Sequence, residues 1–106
     1  MDLFEKREVV RKLVTDYFDN NALNVISNQD VANWESEKII DMGTSILCMK
    51  WNIGHSGGGF AEAVVDNNLM RAVSNADGIN LQALKFYTML MYNVGAPSEI
   101  FENNSL

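Results

Sequence analysis

Proline, cysteine and histidine each occur once in this chain, and basic residues are few. A lone cysteine, Cys48, excludes an internal disulfide framework and a cysteine-rich zinc site. A lone histidine, His55, leaves no His/Cys cluster with metal-ligand spacing. Scarce proline leaves helices uninterrupted, because proline removes a backbone donor and clashes with the preceding turn. Eight Lys and Arg against fourteen Asp and Glu give a formal net charge of −6. That balance argues against duplex nucleic acid, whose phosphates need a basic face. The one basic grouping, Lys6, Arg7, Arg11 and Lys12, is interleaved with Asp2, Glu5, Glu8 and Asp16 and reads as a mixed solvated helix face. No apolar run approaches the roughly 18 residues that span a bilayer. The N-terminal MDLFEKREVVRK has no signal-peptide core. A membrane is therefore not an expected partner, and the expected location is the cytoplasm, with a reduced thiol.

What remains is a chain of 106 residues, 47% of them hydrophobic, which suits a single domain over 1–106. Its patterning is helical throughout, with no strand-like alternation. Leu3, Val10, Leu13, Val14 and Tyr17 form the apolar stripe of a first helix over 3–18, with Asp2 as N-cap and Glu5 completing a capping box. Asp19-Asn20-Asn21 reads as its stop signal. Residues 22–34 form a connector or short turn, with Ser27 or Asn28 as a cap. A second helix is expected from Asp30 or Asn33 to Trp51 or Asn52, with core positions Ile39, Met42, Ile46, Met49 and Ile53. Gly43 within it suggests a close helix crossing. A third apolar run starts at Phe60 and continues through Val73, broken at Ser74–Gly78. A last main helix covers 79–94, apolar nearly all round, with Asp77 as cap and Gly95 and Pro97 as terminators. Ser98–Phe101 adds a turn, and residues 103–106 are expected to fray. The fold class is all-α: a compact bundle of about four helices, completed by homo-oligomerisation because the last helix carries more apolar surface than a monomer hides.

The sharpest local feature is Gly54-His55-Ser56-Gly57-Gly58-Gly59, which holds four of the seven glycines. A glycine-rich turn feeding a helix start can present backbone N–H groups to a phosphate or carboxylate. It can equally be a plain hinge. Phe60 stands where a Walker A motif needs lysine. The candidate anion-binding residues are His55, Ser56, Gly57, Gly58, Gly59 and Phe60, with Arg71 and Lys85 as neutralising cations and Tyr87 or Trp51 as a platform for a base. The carboxylate pairs Glu37/Asp41 and Glu62/Asp66 lack the histidines of a di-metal site and read as solvated faces. No motif assigns a nucleophile, a base and an oxyanion stabiliser together, so neither an enzyme nor a cofactor is expected. Cys48, in a helical apolar pattern, reads as an inert core residue.

Asparagine is the abundant residue, with thirteen copies. About half fit caps, turns and a tail. Asn67, Asn68, Asn80 and Asn93 fall in or near helices, where they read as the polar lining of a site or a polar seam between helices or subunits. Met42, Met49, Met70, Met89 and Met91, with Trp34 and Trp51, suit a core, an interface or a groove.

The strings GGGFAEAVVDNNLMRAVSNAD and NLQALKFYTMLMYNVGAP carry a resemblance. Gly59-Phe60, Ala63-Val64, Asn67-Asn68-Leu69, Ala76-Asp77, Asn80, Leu84, and Tyr92-Asn93 with Pro97 match the pattern of small helical accessory proteins of tailed phages and prophages. The likeness covers residues 57–97 and brings no catalytic residues. It implies an accessory protein acting in a bacterial host cell. Two functions are then expected. One is an oligomeric sponge that sequesters a small anionic, cyclic nucleotide-like signal of bacterial defence. The other is an inhibitor or adaptor that binds a host protein through an exposed Met/aromatic face.

Overall fold

The computed structural model describes residues 1–26, 35–54 and 58–101, with backbone only at 22–25 and 101. The described residues are helical with no strand. The seven helices among them are α1 (Leu3–Val25), α2 (Ser36–Lys50), α3 (Gly59–Val65), α4 (Leu69–Asn75), α5 (Gly78–Gln82), α6 (Leu84–Asn93) and α7 (Ser98–Phe101). α1 pairs most extensively with α2, α3 packs on α2 and on α4, and α6 crosses both α1 and α2. The expected start of the second helix, the caps at Ser27 and Asn28, Trp34 and the tail 103–106 lie outside the described residues.

Side-chain chemistry accounts for the helix ends. Asp2 Oδ1 accepts the Glu5 N–H at 2.8 Å and caps α1 as its sequence suggests. The Asn20-Asn21 stop signal is overrun. Both amides turn back along the helix, Asn20 donating to the Asp16 carbonyl at 2.9 Å and Asn21 to the Tyr17 carbonyl at 3.0 Å. With those amides occupied on the i−4 carbonyls, the backbone continues to Val25. The stretch 60–73, one helix by its spacing, is two. Asn67 adopts φ 58°, its N–H bonds the Val64 carbonyl at 3.1 Å, and the Asn68 N–H bonds the Ala63 carbonyl at 2.8 Å. This is a Schellman ending with asparagine in the left-handed position. Asn52 closes α2 in the same way, with φ 58° and the Ile53 N–H reaching the Cys48 carbonyl at 2.7 Å. Asn68 then caps α4 through the Arg71 N–H. Asp77 caps α5 through the Asn80 N–H at 2.7 Å, and the expected helix 79–94 divides at Ala83 into α5 and α6.

The core draws on most elements. α1 contributes Val10, Val14 and Phe18, α2 contributes Ile39, Ile40, Ile46, Leu47 and Cys48, and α6 contributes Phe86, Tyr87 and Leu90. Phe86 sits against Tyr17, Phe18 and Tyr87 at 5.5–6.0 Å between ring centroids. Phe60 of α3 meets Tyr87 edge-on at 5.7 Å, so aromatic contacts join α1, α3 and α6. Gly43 is the crossing point: a Cβ there would lie 3.0 Å from both Val14 and Leu90. Leu3 continues the stripe of Val10 and Val14 but is exposed, contrary to its spacing, as are Met1 and Phe4.

Candidate functional site

The sequence-derived anion site divides as follows. His55, Ser56 and Gly57 lie outside the described residues. Gly58, with φ 94°, precedes α3, and its carbonyl accepts the Glu62 N–H at 3.0 Å. Gly59 opens α3. Phe60 is buried against Tyr87, which makes it a core residue. Arg71, on α4, reaches Glu62 of α3 at 3.3 Å. Lys85 is exposed on α6. Tyr87 is fully buried, with its hydroxyl donating to Asn80 Oδ1 at 2.8 Å, so its ring has no open face for a base. Burial, reinforced by Asp77, pushes the Tyr87 phenol well above its ordinary value. Trp51 is almost as enclosed. Cys48 is buried too, and burial raises its thiol against the opposing pull of the Arg7 guanidinium. Among the described residues there is no group of three or more His, Cys, Asp or Glu that could hold a metal ion. No helix among them is long and apolar enough to cross a membrane.

Of the four asparagines singled out by sequence, Asn80 and Asn93 lie within helices, and Asn67 and Asn68 form the corner between α3 and α4. Asn80 holds the Tyr87 hydroxyl, and Asn93 donates to the Tyr17 hydroxyl at 3.0 Å, linking α6 to α1. Asn67 and Asn68 line a groove between the α3–α4 corner and α6. One section is walled by Ala63, Val64, Asn68, Leu69, Ala72 and Leu84. The other is walled by Lys50, Val65, Met91 and Tyr92. Val64, Asn67 and Thr88 line both, so the two sections adjoin. The section at the Lys50 end encloses about 310 Å³. That lies at the bottom of the range of about 300–1,000 Å³ for small-molecule sites, and suits one or two side chains.

The polar groups along the groove are mostly committed to the fold. The Asn68 carbonyl oxygen caps α4, and the Thr88 hydroxyl donates to the Leu84 carbonyl at 3.0 Å. Lys50 Nζ donates to the Met91 carbonyl at 2.6 Å, near the end of α6. Lys50 is the one charged residue among those lining the groove. Of the groove's lining residues Leu69 and Tyr92 are open to solvent, and further apolar side chains on the same two helices are exposed. On α4, Leu69 is 67% and Met70 83% exposed, with Val73 beside them; on α6, Tyr92 is 88% exposed and Met89 is exposed next to it. Exposed apolar side chains that gather into a contiguous patch mark an interaction surface.

Sequence reasoning named Met70, Met89 and Met91 as candidates for a groove and Asn67 and Asn68 for a polar lining. It did not name Val64, Leu69, Thr88 or Tyr92. The available signal was the excess of apolar residues around α4 and α6, beyond the single stripe a surface helix needs. No family model matches the chain, nor does any curated protein or solved structure.

Proposed function

We propose that this chain is a non-enzymatic interaction module that holds an apolar segment of a protein partner in the groove between α3–α4 and α6. The observation that carries this reading is the exposure of Leu69 and Tyr92 along a groove lined by a single charged residue. Burying those side chains yields roughly 25 cal/mol per Å² of apolar surface. An exposed aromatic such as Tyr92 is the usual kind of anchor once a partner covers it. The phage-like pattern over 57–97 supports reading the partner as a protein of the bacterial host and the chain as an inhibitor or adaptor acting in the cytoplasm. Arg71 spent on Glu62, a buried Phe60 and a buried Tyr87 all favour this reading over a nucleotide sponge.

A photo-crosslinking residue placed at Thr88 tests the proposal, with one at Asp16 as control. The expected result is one stoichiometric host protein crosslinked from Thr88, not from Asp16, and lost when Tyr92→Asp is added. Calorimetric heat with a cyclic nucleotide that Arg71→Ala or Lys85→Ala abolishes, with no crosslinked protein, would overturn it in favour of the sponge.

A further inference from the structure

We propose that Asp77 is a covalent modification site, at which the chain isomerises its own backbone from an aspartyl to an isoaspartyl linkage. Asp77-Gly78 is the one Asp-Gly or Asn-Gly step in the chain. The reaction needs three things together: a side-chain carboxyl, a following main-chain nitrogen free to attack it, and no side chain crowding that nitrogen. Among the described aspartates only Asp77 has all three. Asp16, Asp19 and Asp41 lie inside α1 and α2, where the next N–H is held in the helix ladder. After Asp66, the Asn67 N–H is held by the Val64 carbonyl at 3.1 Å. After Asp2 stands Leu3, whose side chain hinders a close approach at its nitrogen. Gly78 opens α5, so its N–H has no helical acceptor. Asp77 and Gly78 are both exposed, and a Cβ at Gly78 would meet nothing within 4 Å, so the step is open to water on all sides.

Asp77 has an extended backbone, with ψ −179°. That sets the Gly78 nitrogen gauche to the Asp77 Cβ, and a partial rotation about the Cα–C bond, which glycine tolerates, brings the nitrogen onto Cγ. The carboxyl first leaves the Asn80 N–H that it accepts at 2.7 Å, a single exposed hydrogen bond. The Gly78 nitrogen then bonds to Asp77 Cγ, the carboxyl OH departs with the nitrogen's proton as water, and a five-membered succinimide closes. Water reopens the ring. Addition at Cγ restores aspartate. Addition at the main-chain carbonyl carbon leaves Gly78 bonded through Cγ, with the former main-chain carbonyl as the free carboxylate. Nothing is oxidised or reduced, and the mass is unchanged. The new linkage carries one more methylene through the backbone. Asp77 then loses both bonds that start α5: the side-chain cap on Asn80 and the main-chain carbonyl that accepts the Leu81 N–H at 2.9 Å. Asn80 also holds the buried Tyr87 hydroxyl, so α5 loosens at the side chain that ties it to the core. The inference is independent of the groove, because α5 lines neither section of it.

The test incubates the full-length folded protein in buffer, digests it, and locates isoaspartate by electron-transfer fragmentation, which separates the two linkages at equal mass. Isoaspartate should accumulate at position 77 at least tenfold faster than at Asp41. Gly78→Ala places its methyl group in open space, so it should fold by circular dichroism and slow the reaction at Asp77 several-fold or more. In the isomerised fraction, separated by chromatography, the Asn80 and Leu81 amides should exchange with deuterium faster than in unreacted protein. Isoaspartate that forms at position 77 in urea but not in the folded protein overturns the inference, because the fold then shields the step. So does a rate that Gly78→Ala leaves unchanged, or faster accumulation at another aspartate. Equal amide exchange in the two fractions overturns the loosening of α5.

Discussion

Replacing Gly43 with alanine tests the central crossing, because two opposed terms of known size meet there. Removing a glycine from a helix interior favours folding by about 0.5–1 kcal/mol. Adding a methyl group to a filled core costs about 1–3 kcal/mol. The neighbours decide between them. The added Cβ would stand 3.0 Å from Val14 Cγ1 on α1 and 3.0 Å from Leu90 Cδ2 on α6, with the Phe86 ring 3.9 Å away. Val14 and Leu90 are both fully buried, and the β-branch of Val14 leaves it one favoured rotamer in a helix. The two contacts come from different helices, so relief requires both side chains to give by a few tenths of an ångström inside a filled core. The steric cost therefore exceeds the propensity gain, and Gly43→Ala should destabilise by about 1 kcal/mol. In melting temperature that is a fall of about 4–8 °C. Gly43→Val, with two more methyls, should cost about 3 kcal/mol. Urea unfolding with unchanged m measures it. Leu90→Ala should also be less damaging in the Gly43→Ala background than in wild type, by about 0.5 kcal/mol or more, because the new methyl occupies part of the vacated space. A Gly43→Ala protein more stable than wild type would show that the helices are not in contact at Gly43 as described.

The remaining predictions address titration and helix ends. The Tyr87 phenol has a raised folded-state pKa, so its stability contribution is complete below the ordinary tyrosine value of about 10 and is lost as pH rises beyond it. The raised Cys48 thiol begins the same decline from about pH 8.5. Urea midpoints measured between pH 7 and 11 should fall on the alkaline side, and Tyr87→Phe should flatten the upper part of that slope while costing about 0.5–1.5 kcal/mol at pH 7 from the lost bond to Asn80. Cys48 should react with a thiol reagent far more slowly in the folded protein than in urea; equal rates would contradict its burial. Asn52→Gly should be neutral or stabilising, whereas Asn52→Ala should cost about 1–2 kcal/mol, because alanine strains at φ 58°. Asn68→Ala should cost about 0.5–2 kcal/mol through loss of the α4 cap, read as a lower thermal midpoint.

The helical class, the Asp2 and Asp77 caps, the burial of Cys48 and the crossing at Gly43 could be read from residue type and spacing, because each depends on neighbours within a few positions or on the absence of a Cβ. The breaks at Asn67 and Ala83 could not. The apolar spacing of Ala61, Val65, Leu69 and Ala72 continues through Asn67, and periodicity alone does not reveal a left-handed residue inside an otherwise regular run. The overrun of Asn20-Asn21 is the complementary case. Asparagine stops a helix when its backbone turns left-handed and extends one when its amide folds back on the i−4 carbonyl. Local sequence does not choose between these. The exposure of Leu3 was illegible for a different reason: its stripe is correct, but among the described residues no element covers it at that end of α1. The anion-site reading joined the glycine loop to Arg71 and Lys85 without knowing their partners, and Arg71 pairs with Glu62 across the α3–α4 corner.

The break at Asn67 is also what gives the chain a groove. In one straight helix from Phe60 to Val73, Leu69 would continue the face of Ala61 and Val65 along α2 and α6. The left-handed turn at Asn67 and the restart at Asn68 redirect α4. Ala72 remains buried while Leu69, Met70 and Val73 face solvent, and Val64, Asn67 and Thr88 line both sections of the groove. Straightening the corner should therefore bury Leu69 and close the groove together. Asn67→Ala resists the left-handed turn by about 1–2 kcal/mol and works in that direction, while Asn67→Gly keeps the turn and removes only the amide. If the groove is the binding surface, partner crosslinking from Thr88 should survive Asn67→Gly and fall in Asn67→Ala. Equal loss in both variants would instead assign the contact to the Asn67 amide, independent of the shape of the corner.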